Sequence, residues 1–247
     1  MKRWLFVAAL ACFVFAMFSI SSAQETGDGF IKGKIAVKDG KTISGWRIRF
    51  FDVKAGPTPF TTEYQRVPDF MIRSDDDGGF SAKLPEGMYY VTALKKSPEK
   101  KHPEKKRPGP EEGDLIYPPM DSREPKPYIV KAGETTDIGV ISAAVPFKKE
   151  WAVKIKTGIE GTVVDGQGEP VEGVLVFATT VPGAKIPRYS SGYTGKDGKY
   201  VLGLPEGGQY YLRVRDRQLS PVTVKTGEIT RGIDITLTLR LGDQEPE

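Results

Sequence analysis

Side chains that commonly do chemistry are scarce in this chain. Its 247 residues include one histidine, His102, and one cysteine, Cys12. A zinc peptidase needs two or three nitrogen or carboxylate ligands on rigid elements, and neither HExxH nor HxxE occurs. A nucleophilic serine needs a positioned base, and His102 sits in the Lys/Pro stretch "PEKKHPEKK". There is no CxxCH for haem and no GxxxxGK[ST] for nucleotide phosphates. Asp75, Asp76 and Asp77 suit calcium by type but lack the EF-hand spacing, so they read as a solvated Asx turn before a strand. The expectation is a non-enzyme with no cofactor and no metal.

Groups that bind remain. Aromatic rings stack on sugars, and Tyr64, Tyr117, Tyr189 and Tyr193 fall in irregular stretches between predicted strands, where exposed rings could contact a ligand. Trp46, Ile48 and Phe50 alternate along one strand face and read as core. The second candidate surface is basic. Residues 95–110 carry seven Lys or Arg against two Glu, with four prolines. Lys100, Lys101, Lys105, Lys106 and Arg107 are its candidate contacts for an anionic polymer or lipid headgroups. The acidic residues Glu111, Glu112 and Asp114 follow directly, and a plain spacer is the competing reading. Proline and charge predict that the whole insertion, residues 95–127, is extended and without a core, so trimming it should cost little stability.

The N-terminus bears on where such surfaces would act. Lys2 and Arg3 precede an apolar run of 17 residues from Trp4 to Ile20, and Ser21 and Ala23 supply the small residues of a signal-peptidase site. Residues 1–23 therefore read as a signal peptide cleaved between Ala23 and Gln24. Retention as an anchor is the alternative, although 17 helical residues reach only about 26 Å against a bilayer core of roughly 30 Å. Cleavage removes two of the 36 basic residues and none of the 32 acidic ones, so the mature charge is 34 − 32 = +2. Global charge thus gives no argument for nucleic acid, and the membrane is met only transiently through the signal segment. Cys12 leaves with the signal, so packing alone must stabilise the exported chain.

The elements that would position these groups come twice. "SDDDGGFSAKLPEG" (74–87) lies over "TGKDGKYVLGLPEG" (194–207) at an offset of 120. "IKGKIAVKDGKTISGWRIRF" (31–50) lies over "IEGTVVDGQGEPVEGVLVFA" (159–178) at 128, and "VKAGE" (130–134) lies over "VKTGE" (224–228). Three blocks in one order point to a duplicated domain. Alternation on both sides of each LPEG makes it a hairpin tip, with Pro85 presetting the turn and Gly87 expected at positive φ. The final "IDITLTLRL" (233–241) alternates cleanly, and no amphipathic helix is predicted outside the signal. The fold class expected is all-β: two tandem antiparallel Greek-key β-sandwiches after the signal peptide. The first spans 27–146 and carries the insertion, the second spans 152–241, and 242–247 forms a disordered tail.

At "GIEGTVVDGQGEPVEGVLVFATT" and "GYTGKDGKYVLGLPEGGQYYLRV" the chain resembles the carboxypeptidase regulatory-like domain, a transthyretin-like sandwich. The second copy follows the family pattern nearly throughout. The first departs from it, with Thr42 for the proline at Pro170 and Trp46 where a small residue is usual. The resemblance implies core roles for Tyr89 and Tyr210, and carbohydrate binding as one use of the related fold. Together these readings predict an exported, periplasmic, cell-surface or extracellular protein of a bacterial-type envelope. It would bind or scaffold a protein partner or glycan through its sandwiches. The alternatives are an accessory subunit of a secreted or membrane-bound enzyme complex, or an adhesin-like binder of anionic surface polymer through the basic loop.

Overall fold

A computed structural model describes residues 27–59, 61–97, 110–118, 126–151, 154–215 and 217–237. The expected signal peptide with Ala23 and Gln24, most of the basic run and the expected tail lie outside these residues. Eight strands build the first sandwich: β1 (Asp28–Val37), β2 (Arg47–Asp52), β3 (Phe70–Arg73), β4 (Gly79–Pro85), β5 (Gly87–Lys95), β6 (Leu115–Tyr117), β7 (Tyr128–Val130) and β8 (Thr135–Pro146). Eight build the second: β9 (Gly158–Asp165), β10 (Leu175–Thr179), β11 (Tyr189–Tyr193), β12 (Lys199–Gly203), β13 (Gly208–Val214), β14 (Arg217–Val224), β15 (Ile229–Thr230) and β16 (Ile235–Leu237). No α-helix occurs among the described residues.

In the first sandwich β4-β1-β8 faces β3-β2-β5, and β8 passes between the layers by pairing with β1 and then, at its end, with β6. In the second, β12-β9 with β15 and β16 faces β11-β10-β13-β14. Most pairs are antiparallel, as expected, but each sandwich has one parallel seam: β8 on β1, and β15 and β16 on β9. Strand alternation fills the two cores. Ile31, Trp46, Ile48, Phe50, Leu84, Tyr89 and Val91 close the first, and Ile159, Val176, Leu202, Tyr210, Leu212 and Ile235 the second. Trp46, Ile48 and Phe50 are fully buried, so the period-2 reading of that strand holds.

The repeated sequence blocks occupy matching registers. Ile31 pairs with Ala82 and Ile159 with Leu202; Ile48 pairs with Ala93 and Val176 with Val214; Gly87 pairs with Val130 and Gly208 with Val224. The DG turns match in detail. Gly78 and Gly198 have φ of +79° and +68°, and an added Cβ would lie 2.5 Å from the carbonyl oxygens of Ile35 and Val163 respectively. Both the conformation and the space demand glycine there.

The LPEG tips close differently from expectation. Neither Gly87 nor Gly207 lies at positive φ. The tyrosine two residues into each following strand does the work instead. The Tyr89 hydroxyl donates to the carbonyl of Pro85 at 2.9 Å, and that of Tyr210 to the carbonyl of Glu206 at 3.0 Å. Each core ring thereby satisfies a turn carbonyl four residues back, which explains why LPEG recurs with tyrosine behind it. Gly207 is fixed by proximity: a Cβ would stand 2.6 Å from the Thr226 amide nitrogen. Asp75 forms the Asx turn, accepting from the amides of Asp77 and Gly79.

The insertion corrects a second expectation. Its residues 110–118 are structured. β6 pairs with β5 through Ala93–Tyr117 and Lys95–Leu115, and with β8 through Ile116–Val145. It completes the edge of β5 that β14 provides for β13 in the second sandwich, where Val214 faces Arg217. Asp114, expected as part of a solvated acidic patch, is buried. Its carboxylate accepts from the Ser97 amide at 2.9 Å and the Glu111 amide at 2.8 Å, and pairs with Lys96 Nζ at 2.9 Å. Ile116 packs with Leu94, Phe147 and Trp151 in a small separate core. Hydrophobic anchoring on both sheets outweighs the local bias of proline and charge toward extended chain.

Candidate functional site: the cleft at the junction of the sandwiches

The segment from Thr61 to Asp69 leaves the first sandwich and lies on the second. Ser190 N–H donates to the Gln65 carbonyl at 3.0 Å and Val67 N–H to the Arg188 carbonyl at 2.9 Å, so residues 65–67 extend the sheet beyond β11. Gly203 on β12 permits this approach, since a Cβ there would sit 2.2 Å from the Glu63 carbonyl oxygen. Tyr64 enters the second core, with its ring edge-on to Tyr189 at 5.8 Å and its hydroxyl donating to the Thr58 carbonyl.

A charged clasp flanks these rings. The Arg66 side chain is 0% exposed and Asp69 10%. Arg66 donates to the carbonyls of Asp52, Gly56 and Pro57 and to Asp69 Oδ2, and lies over the Phe51 ring. The other Asp69 oxygen accepts from Arg188 at 2.6 Å. Asp69 thus joins an arginine of each sandwich. Burial lowers the pKa of Arg66, and Asp69 opposes that shift.

Next to the clasp is a cleft of about 370 Å³. Its floor is the outward face of the first sandwich, with Arg49 and Phe51 on β2, Thr92 on β5 and Ile116 and Tyr117 on β6. Its walls are Phe147 and Trp151 from the chain linking the sandwiches, and Leu175, Phe177 and Ser190 from the second. Among the described residues no aspartate, glutamate or lysine lines it. Arg49 Nε donates to Thr92 Oγ1 at 3.0 Å. Burial, helped by nearby Arg47, holds its guanidinium down to about 10.

The four tyrosines singled out from sequence are thus separated. Tyr64 and Tyr189 are buried against each other, so they are interdomain core and not exposed loop rings; Tyr189 begins β11. Tyr117 lies on β6 and lines the cleft, its phenol pushed up to about 12 by burial and by Tyr128. Tyr193, at the end of β11, is exposed away from it. Lys100, Lys101, Lys105, Lys106 and Arg107 lie outside the described residues. Sequence reading missed Arg49, Arg66, Asp69 and Arg188. The outward period of Arg47 and Arg49 against Trp46, Ile48 and Phe50 was the available signal for Arg49; nothing local marked the other three.

Among the described residues no group of three or more His, Cys, Asp or Glu side chains gathers as a metal site. No helix among them is long and apolar enough to cross a membrane.

The second half is a β-sandwich of two facing sheets. Residues 158–242 match the family model of the carboxypeptidase regulatory-like domain, and this part of the chain is a domain of that family. No curated protein matches the chain. Among solved structures it aligns with the Bacillus anthracis TIE protein at 15% identity over 86% of this chain and 34% of that one, TM-score 0.27. A streptococcal ancillary pilin aligns at 16% identity over 88% and 64%, TM-score 0.25. The minor pilin GBS52 of Streptococcus agalactiae aligns at 13% identity over 89% and 99%, TM-score 0.27. At such TM-scores these likenesses are no basis for function.

Proposed function

We propose that this is an exported, non-enzymatic scaffolding or binding protein of the cell envelope, in which two regulatory-like sandwiches act as one body. The observation that carries the reading is the junction: Tyr64 in the second core, the strand-like pairing of residues 65–67 with β11, and Asp69 shared by Arg66 and Arg188. Such a joint holds two binding faces at a fixed separation, which suits a spacer or bridge between partners. The matched registers support a duplication, so the first sandwich is proposed as a second, divergent copy. The basic start, apolar run and Ser21/Ala23 site support export, and partners are then proteins or glycans of the envelope or exterior.

Cell fractionation with N-terminal sequencing tests the address: the mature chain should begin at Gln24 and lie outside the cytoplasm. Affinity capture with the tagged mature chain from envelope extracts tests the role. Recovery of a stoichiometric envelope protein or glycan supports it; a chain retained uncleaved in the cytoplasm overturns it.

A further inference from the structure

We propose that the junction cleft is a binding site for a carboxylate borne on an apolar or aromatic body, held by Arg49. The proposal goes beyond the scaffold reading and concerns a ligand of defined chemistry. A guanidinium carries five N–H donors, and Arg49 uses one, Nε to Thr92 Oγ1. Its two terminal nitrogens have no acceptor among the described residues, and no carboxylate lies within ion-pair distance of them. Neither nitrogen is sealed from solvent without a partner, in contrast to Nε of Arg66. Arg66, the other arginine of the cleft, is already committed to three carbonyls and Asp69.

One cation with an open fork therefore faces a pocket whose apolar and aromatic lining includes Phe51, Ile116, Tyr117, Trp151, Leu175 and Phe177, with Thr61, Gln65 and Ser190 among its polar groups. Holding a guanidinium there without a counter-charge is costly, and the downward shift of its pKa agrees. The planar fork matches a carboxylate bidentately, while the rings accept the group attached to it. A phosphate dianion would bring two charges to a site with one available cation among the described residues. The volume of about 370 Å³ falls within the roughly 300–1,000 Å³ usual for small-ligand clefts. The carboxylate could belong to a free aromatic acid or to the C-terminus of a peptide ending in an aromatic residue; the chemistry recognised is the same.

Calorimetric titration of the full mature chain tests this with N-acetylphenylalanine, its amide, and a short peptide ending in phenylalanine with the C-terminus free or amidated. At least one free acid should bind, its amide should not, and rising salt should weaken binding. Arg49→Gln should weaken the acid by about thirtyfold or more, the loss expected when one partner of a desolvated charge pair is removed. Its melting temperature should not fall, since the uncompensated guanidinium is removed. If Arg49→Gln does not fold, Arg49→Lys, which keeps the charge and loses the fork, must weaken binding instead. Tighter binding of the peptide than of the free acid assigns the source to a protein terminus, and the reverse order to a metabolite. Equal binding of acid and amide, full binding by the folded Arg49→Gln protein, or no binding by any acid overturns the proposal.

Discussion

Tyr64 of the first sandwich stands edge-on to Tyr189 of the second, 5.8 Å between ring centres, and Tyr189 in turn stands edge-on to Tyr210 at 6.2 Å. One domain has lent the other a core residue. Tyr64→Ala should therefore destabilise the second sandwich, which it does not belong to in sequence, by about 3 kcal/mol, the scale of emptying a buried aromatic site. Denaturant unfolding of the full chain measures this. A fragment starting at residue 154 should fold cooperatively but melt below the same sandwich in the intact protein.

Asp69→Ala leaves the Arg66 guanidinium buried beside three carbonyls without its counter-charge. A cost of about 3–5 kcal/mol is expected. The double variant Arg66→Met with Asp69→Leu should cost much less than the sum of the singles, which a double-mutant cycle would show. Strict additivity would mean that the pair does not act as a unit.

Two deletions in the insertion should behave differently. Removing residues 98–109 should leave the melting temperature nearly unchanged, because a shorter connection changes closure entropy by about 1 kcal/mol or less. Extending the cut through residue 118 removes β6, Asp114 and Ile116, and should unfold the first sandwich or melt it far lower. Asp114→Ala alone should cost about 1–3 kcal/mol through the amides of Ser97 and Glu111, which lose their acceptor.

Tyr89→Phe and Tyr210→Phe should each cost about 1 kcal/mol, since each leaves a turn carbonyl short of its donor. The same phenols make stability sensitive to alkali. Burial raises both to about 12, whereas an unfolded tyrosine ionises near 10. Their contribution is complete below about pH 10 and is lost as pH rises through about 12, because the unfolded chain releases these protons first. Urea midpoints measured across this window should fall steeply in the parent protein and less so in the double Phe variant.

These predictions also show which parts of the molecule could be read in advance. Trp46, Ile48 and Phe50 were legible because period-2 burial acts on neighbouring residues, and the turn at Asp75 because its carboxylate is met by amides only two and four residues on. The role of Tyr89 and Tyr210 at the turn was half legible: the repeat displayed the tyrosines, but the hydroxyl's target appears only in three dimensions. β6 was hidden by composition, since Leu115, Ile116 and Tyr117 lie between proline-rich and charged stretches and are stabilised by contacts with residues 93–95 and 145–146. The Arg66–Asp69–Arg188 clasp had no local signature, because Arg188 is 119 residues from Asp69. Arg49 looked like an ordinary outward strand residue; only the second sandwich, folding over it, makes a cleft.

The strand-like seat of residues 65–67 on β11 has a consequence for solubility. β11 is the last strand of its sheet, and an uncovered edge of this kind is a template for another chain. Within one molecule the first sandwich occludes that edge. If the seat is vacated, the same hydrogen bonds to Arg188 and Ser190 become available to residues 65–67 of a neighbouring molecule. That exchange runs head to tail, so it closes into a dimer only where the connecting chain allows it and otherwise propagates. The seat of residues 65–67 on β11 thus also keeps each copy from continuing into the next.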